Sequence, residues 1–206
     1  MSNAWPALWN TRSEPEGAPS SMEEWLAQDE DGAGEFVDGR LEDDEMPGFA
    51  HELVVSWLIR VVGAWLGARG FVVGSDAKVV VSPTRGRKPD AIVFLPGSKP
   101  PPPQGALLEP PDIVVEVVTP TPRDERRDRV EKMADYAQFG VHGYWLVDPA
   151  LGSFEIFELD ESRRYLRALV QTEGRLTDIP RCDGLELDLD TLWAELARLG
   201  ARLDSQ

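Results

Sequence analysis

The segment covering residues 111–149 constrains the fold more than any other part of the sequence. It opens with a β-branched run at 113–118, short and apolar enough to be a strand buried on both faces. A helical pattern follows to about residue 139, and a second apolar strand covers 144–147. Strand, helix and strand at this length predict a βαβ crossover whose two strands are parallel and neighbouring or nearly so.

The helix between these two strands has clear boundary signals. Thr121 is the predicted N-cap, Pro122 occupies the first helical position, and Gly140 ends the helix. At 100° per residue, one apolar stripe faces the core. It consists of Val130, Met133, Ala134 and Ala137. Lys132 falls well away from this stripe, so helical periodicity alone predicts that its side chain faces solvent.

Glu116 is the residue that does not fit a buried strand. It lies between Val115 and Val117, where a carboxylate must be paired, bound to a metal or protonated. One interpretation is a structural ion pair with an arginine such as Arg126. The other is a functional site, because a buried carboxylate on a central strand is a candidate for chemistry.

Two further acids lie in or beside apolar strands. Asp90 follows Pro89 at the start of a predicted strand, and Glu35 opens a predicted hairpin. Neighbouring strands would bring Asp90 and Glu116 close enough to share one hard cation, and Mg²⁺ typically takes one or two protein carboxylates and keeps several waters. Asp112, four residues before Glu116 on the same strand face, is a minor rival for the metal.

The rest of the sequence predicts a single α/β domain at 21–206, a mixed central β-sheet flanked by helices, preceded by a flexible N-terminal arm at 1–20. The other predicted elements are a helix at 22–28 capped by Ser20 or Ser21, a hairpin at 35–41, a helix at 51–69 closed by Gly70, strands at 71–73, 78–81 and 89–95, an antiparallel pair at 154–159 and 165–170, and a last helix capped by Asp190.

Composition limits the classes of function. The formal net charge of −16 repels nucleic acid, so DNA binding would need a local basic patch. Arg85, Arg87 and Lys88 form the one clearly basic loop and are the candidate phosphate-binding residues. A single cysteine suits a reducing cytoplasm, and no run approaches eighteen uninterrupted apolar residues, so no membrane association is expected.

Several residues, in their order along the chain, carry a resemblance to a known family. They are Glu35, His51, Pro89-Asp90, the run Pro111-Asp-Ile-Val-Val-Glu-Val, Lys132, Tyr136 and the run Gly-Tyr-Trp-Leu-Val-Asp148. This order resembles the bacterial putative restriction endonuclease family of unknown biological role, within the PD-(D/E)XK phosphodiesterase superfamily. The likeness spans roughly residues 20–160 and is most specific at 111–149. It implies a restriction-endonuclease-like fold and a Mg²⁺- or Mn²⁺-dependent phosphodiesterase site.

The resemblance also implies roles for individual residues. Asp90 and Glu116 would be the two metal-binding acids, and Glu35 would assist them. The superfamily places its lysine two residues after the second acid, where this chain has Val118. Lys132, on the following helix, matches the family's displaced lysine. His51 and Tyr136 match positions that support the site from behind.

Three functions follow as hypotheses. The first is a metal-dependent endonuclease acting on DNA, for which a homodimer is expected because duplex cleavage needs two sites. The second is a catalytically degenerate nuclease-fold module that acts through protein–protein interaction, motivated by the net charge and by Val118. The third is a hydrolase of small phosphate-containing molecules, which needs no long basic groove.

Overall fold

The computed structural model describes residues 18–28, 34–42, 48–75 and 77–201. The flexible arm predicted for residues 1–20 lies outside these ranges except for its last three residues. The strands are β1 (Glu35–Val37), β2 (Arg40–Glu42), β3 (Phe71–Val73), β4 (Val79–Ser82), β5 (Arg85–Arg87), β6 (Ala91–Phe94), β7 (Ile113–Val117), β8 (Gly143–Asp148), β9 (Ser153–Leu159), β10 (Tyr165–Gln171), β11 (Arg175–Leu176) and β12 (Leu187–Asp188). The helices are α1 (Met22–Ala27), α2 (Phe49–Leu66), α3 (Pro122–Arg126), α4 (Met133–Phe139) and α5 (Leu189–Ala201), with a π-helical segment (Arg127–Lys132) joining α3 to α4.

A six-stranded mixed sheet forms the centre of the molecule, in the order β10–β9–β8–β7–β6–β3. Strands β7 and β8 are parallel neighbours, and every other neighbouring pair in this sheet is antiparallel. The predicted βαβ crossover, the antiparallel pair formed by β9 and β10, and the α/β fold class are therefore confirmed.

A smaller antiparallel sheet lies beside the first, in the order β2–β1–β5–β4. The hairpin of β1 and β2 is confirmed, with its turn at Asp38 and Gly39. The basic loop predicted around residues 85–88 is wrong, because Arg85–Arg87 is strand β5 and pairs with both β1 and β4. Gly86 is needed there, since a Cβ at this position would lie 2.3 Å from a ring carbon of Trp25 on α1.

Each face of the central sheet carries its own apolar cluster. On β7, Ile113, Val115 and Val117 face the cluster that includes buried side chains of α2 and α5. Val114 faces the opposite cluster, which includes Tyr136 of α4. Because side chains alternate along a strand, Glu116 lies on the same face as Val114, beneath the crossover helix.

Two helix ends differ from the predictions. Helix α2 stops at Leu66, and Gly67 caps it with φ +56°, three residues before the predicted Gly70. Gly70 instead permits close packing, since a Cβ there would lie 2.4 Å from the carbonyl oxygen of Phe94. At α5 the capping side chain is Asp188, which accepts the backbone N–H of Thr191 at 3.0 Å.

Among the described residues, α2 is the one helix with the length and hydropathy (1.4) of a membrane span. Its buried side chains include Val54, Trp57, Leu58 and Val62, and they lie in the same apolar cluster as the central sheet. One face of α2 therefore packs against the central sheet.

Candidate metal-dependent nuclease site

Glu116 is the centre of the site. Glu116 is 1% exposed, and both of its carboxylate oxygens accept hydrogen bonds. Lys132 Nζ donates to Oε2 at 2.8 Å, and the Tyr136 hydroxyl donates to Oε1 at 2.8 Å. The interpretation of Glu116 as the partner of Arg126 is wrong, because Arg126 is 75% exposed and pairs with Glu131.

The face of the crossover helix that contacts Glu116 is not the apolar stripe that the helical pattern predicts. Four buried polar residues recur at intervals of four, while Val130, placed on the predicted apolar stripe, is 57% exposed. They are Asp124, Asp128, Lys132 and Tyr136. In a regular α-helix of 3.6 residues per turn, positions four apart drift around the axis. The π segment holds more residues per turn and offsets this drift, so these side chains face the sheet together.

Lys132 is therefore buried rather than solvent-facing, with 3% of its surface exposed. Its Nζ lies 2.8 Å from Glu116 Oε2, 3.2 Å from Glu35 Oε1 and 3.7 Å from Asp128 Oδ1. The structure thus brings an ammonium group to the carboxylates although position 118 is an apolar core residue, Val118.

Asp90 comes to the site from the neighbouring antiparallel strand. Ala91 on β6 pairs with Val115 on β7, and continuing this register by one residue places Asp90 opposite Glu116. Asp90 Oδ2 accepts the backbone N–H of Val117 at 2.6 Å and lies 3.2 Å from His51 Nε2. The two acids are on adjacent strands, and a separation of about 3–6 Å between their carboxylates stays a prediction.

Glu35 is fully buried and has both oxygens occupied. Arg87 donates to Oε2 at 2.7 Å, and the backbone N–H of Lys88 donates to Oε1 at 2.9 Å. Oε1 also lies 3.2 Å from Lys132 Nζ. Arg87 itself is anchored by Asp135 on α4, at 2.6 Å. Glu35 therefore connects the small sheet to Lys132, and its oxygens are less available to a metal than those of Glu116 or Asp90.

The predicted phosphate-binding residues occupy different surroundings from those expected. Arg87 is 0% exposed, and Arg85 pairs with Asp38 at 2.6 Å and Asp135 at 2.8 Å. Lys88 is also buried. The side chains of Arg85 and Arg87 belong to an ion-pair network between strand β5 and its neighbours, because the segment pairs into a sheet rather than projecting as a loop. They do not form a solvent-facing patch for phosphate.

Because several carboxylates lie close together in a buried pocket, the pKa values of Glu116 and Lys132 are shifted. Burial raises the pKa of Glu116 well above its ordinary value; Lys132 opposes this effect, and Asp90, Asp128 and Glu35 add to it. Burial alone would lower the pKa of Lys132, but Glu116, Glu35 and Asp128 together raise that pKa well above its usual range. Lys132 therefore stays charged, and the pocket retains an excess of carboxylates that a further cation would relieve.

Asp90 and His51 form a second coupled pair. Burial would raise the pKa of Asp90, but the hydrogen bond and charge of His51 hold that pKa below its ordinary value. Burial would lower the pKa of His51, whereas Asp90 raises it. Asp90 is thus kept ionised, a state that favours binding of a nearby cation.

Asp112, the minor rival for the metal, and Arg129, another cation of the crossover helix, have other partners. Asp112 accepts the backbone N–H of Leu95 at 2.8 Å and lies 3.7 Å from Arg181, so its carboxylate serves the other end of strands β6 and β7. Arg129 pairs with Asp148 at 2.9 Å and Glu155 at 2.6 Å. These contacts leave Lys132 as the cation paired with Glu116.

The donor set fits a hard divalent cation. Asp90 and Glu116 supply carboxylate oxygens, and Mg²⁺ is commonly bound through only one or two of these. Asp128 Oδ1 is buried and accepts no hydrogen bond. Within the described ranges, no group of three or more His, Cys, Asp or Glu side chains has the arrangement of a complete metal cage.

Sequence reasoning missed Asp128 and the Arg87–Asp135 anchor. Helical periodicity alone places Asp128, like Lys132, away from the apolar stripe, although polar residues at 124, 128, 132 and 136 repeat every four positions. That spacing was the available signal. The anchor carried no signal, since its members are separated by 48 residues and meet only through the packing of α4 on the small sheet.

Comparisons with known proteins identify the fold and the family of this chain. The fold is similar to that of a crystal structure described as a putative nuclease belonging to DUF820 from Anabaena variabilis ATCC 29413, with a TM-score of 0.68, 19% sequence identity, and coverage of 86% of this chain and 99% of that one. Among curated proteins, none matches the sequence. Residues 19–190 match the family described as "Uma2: Putative restriction endonuclease". The resemblance seen in the sequence is confirmed, and the chain belongs to the Uma2 family of putative restriction endonucleases.

Proposed function

We propose that this protein is a Mg²⁺- or Mn²⁺-dependent endonuclease that hydrolyses phosphodiester bonds in DNA. The observation that carries the proposal is the buried ammonium of Lys132, 2.8 Å from Glu116, in a chain whose Val118 cannot supply the charge. Membership of the family and the nuclease-like fold support the nuclease role.

Each residue has a role that follows from its contacts. Asp90 and Glu116 would hold the divalent ion, which would polarise the phosphoryl oxygen and supply hydroxide at neutral pH. Lys132 places positive charge where negative charge develops on the scissile phosphate. Glu35 orients Lys132 from the side of the small sheet. His51 and Tyr136 hold the carboxylates of Asp90 and Glu116 from behind.

The acidic composition sets the conditions under which DNA would bind. With a net charge of −16, binding to DNA should be weak and strongly favoured by low salt. We further propose a cytoplasmic location and a homodimer. The second copy would supply the second site that duplex cleavage requires.

The test is cleavage of supercoiled and single-stranded DNA with Mg²⁺ or Mn²⁺ at low salt. We expect the wild type to cleave and Asp90→Ala to lose activity. Asp112→Ala is the matched control, because Asp112 also follows a proline and accepts a backbone N–H from a neighbouring strand, at the far end of the same strand pair. Equal loss of activity in both variants would contradict the assignment of the site.

The alternative is a catalytically degenerate module that binds another protein. The observation favouring it is that Lys132 already pairs with Glu116 and Glu35, so the acids have a cation without a metal. A folded wild type that cleaves no nucleic acid with either ion would support this alternative. Cleavage of a small chromogenic phosphodiester, but not of DNA, would favour a hydrolase of small phosphate-containing molecules.

A further inference from the structure

Asp128 is a buried carboxylate with unused hydrogen-bonding capacity beside the site. It is 3% exposed, and its Oδ1 accepts no hydrogen bond. That oxygen lies 3.7 Å from Lys132 Nζ and 3.5 Å from Arg127 Nε, distances at or beyond the limit of a well-formed hydrogen bond. A buried acceptor left in this state costs free energy, so a state of the protein that satisfies it would be favoured.

The other two carboxylates around Lys132, those of Glu35 and Glu116, have less unused hydrogen-bonding capacity than Asp128. Glu35 Oε1 already accepts the backbone N–H of Lys88, and its Oε2 accepts Arg87. Glu116 Oε2 holds Lys132 at 2.8 Å, but this carboxylate is also a proposed metal ligand. If the carboxylate of Glu116 binds a cation, the ammonium next to it is repelled and needs another acceptor. Asp128 Oδ1 is that acceptor, and a shift of about 1 Å would bring Lys132 within hydrogen-bond range.

We propose that Asp128 is a positioning residue that holds Lys132 when Glu116 is engaged by a divalent cation. The inference rests on the proposed function. The π segment makes the arrangement possible, because it keeps Asp128 and Lys132 on one buried face. The ammonium then remains beside the metal-binding acids instead of leaving the pocket.

Binding of Mn²⁺ alone, measured by isothermal titration calorimetry, tests this without any activity assay. We expect Asp128→Asn to weaken Mn²⁺ binding by about 10-fold or more, the range found for groups that orient a metal site from behind. Lys132→Met should bind Mn²⁺ more tightly than wild type, since it removes the competitor for Glu116. In the Lys132→Met background, Asp128→Asn should raise the dissociation constant clearly less than in the wild type, since only the loss of one nearby negative charge remains. This dependence of the Asp128→Asn effect on Lys132 is a readout that a purely structural role of Asp128 would not give.

Asp124→Asn is the matched control. Asp124 is the same residue type, one turn earlier on the same face and equally buried, and its Oδ1 likewise accepts no hydrogen bond. Among the described residues, however, Lys132 forms its ion pairs with Glu35, Glu116 and Asp128 and not with Asp124. We expect its affinity for Mn²⁺ to stay within about twofold of wild type. Asp128→Ser provides a second variant if the asparagine does not fold.

The outcomes separate the two proposals. Wild type that binds Mn²⁺ while the folded Asp128 variants bind it equally well would overturn only the role of Asp128. An effect of Asp128→Asn that is undiminished in the Lys132→Met background would also overturn it. Wild type that binds no Mn²⁺ would overturn both the metal-dependent function and this inference.

Discussion

Replacing Lys132 with methionine removes the cation from a buried cluster of carboxylates. The lysine side chain is 4% exposed, and Glu116 and Glu35 lie 2.8 Å and 3.2 Å from its ammonium. Removing one partner of a buried ion pair typically costs about 3–5 kcal/mol, because the remaining charge is left without compensation. The sequence alone suggests an exposed lysine and almost no change in stability, so the burial of Lys132 reverses that expectation.

The cost should depend on pH. Without Lys132, Glu116 loses the group that opposes the rise of its pKa, so its pKa in the folded variant lies even further above the unfolded value. A carboxyl of this kind favours the folded state at low pH, and that contribution is lost as pH rises through the folded pKa. Each pH unit across this window is worth about 1.4 kcal/mol for one group. Lys132→Met should therefore be least destabilised under acidic conditions.

Urea unfolding followed by tryptophan fluorescence at about pH 5.5 and about pH 8 measures this effect. Lys99→Met is the control, because Lys99 is 74% exposed and its pair with Glu109 is at the surface. We expect the control to change the free energy of unfolding by no more than about 0.5 kcal/mol at either pH. A Lys132→Met protein as stable as this control at both pH values would refute the buried, charged lysine.

The same variant should lose about 10²–10³-fold in turnover on DNA, if Lys132 stabilises charge mainly in the transition state. Turnover of the variant and the wild type is compared on folded protein, at the pH where the variant is more stable. A loss of stability is then not mistaken for a loss of catalysis. Unchanged turnover would transfer the role of the cation to another residue.

Further expectations follow from other parts of the structure. Saturating Mn²⁺ at about 100 times its dissociation constant should stabilise the wild type by about 2.7 kcal/mol, and Asp90→Ala should abolish the shift in melting temperature; a shift that persists would place the ion elsewhere. Burial raises the pKa of the Cys182 thiol to about 12. Thiol reagents at about pH 8 should therefore react slowly with the native protein and rapidly with the protein unfolded in urea, and fast labelling of the native protein would contradict this. Gly86→Ala should destabilise the fold by about 1–3 kcal/mol in urea unfolding, since its Cβ would overlap Trp25, and a neutral result would mean that α1 is not packed as described.

Local chemistry in the sequence determined the crossover and the acids. The β-branched run around Glu116, the cap at Thr121 and Gly140 predict strand, helix and strand, and the structure has these elements. A glutamate within such a run is conspicuous because burying an unpaired carboxylate is costly. These signals depend only on neighbouring residues, and for that reason they can be read without the fold.

Only the tertiary structure decided which side chains meet Glu116. A uniform 100° per residue assigns Lys132 and Asp128 to solvent, whereas the π segment turns both toward the sheet. A change in helical periodicity depends on packing against the strands beneath, and in the sequence only the four-residue spacing of polar residues from 124 to 136 indicates it. The pairing of Arg87 with Glu35 and Asp135 likewise depends on β5 being a strand, which a run of basic residues did not suggest. Contacts between distant segments form only when the sheets assemble. Burying those charges costs free energy, and only the oppositely charged partners present in the assembled fold offset that cost.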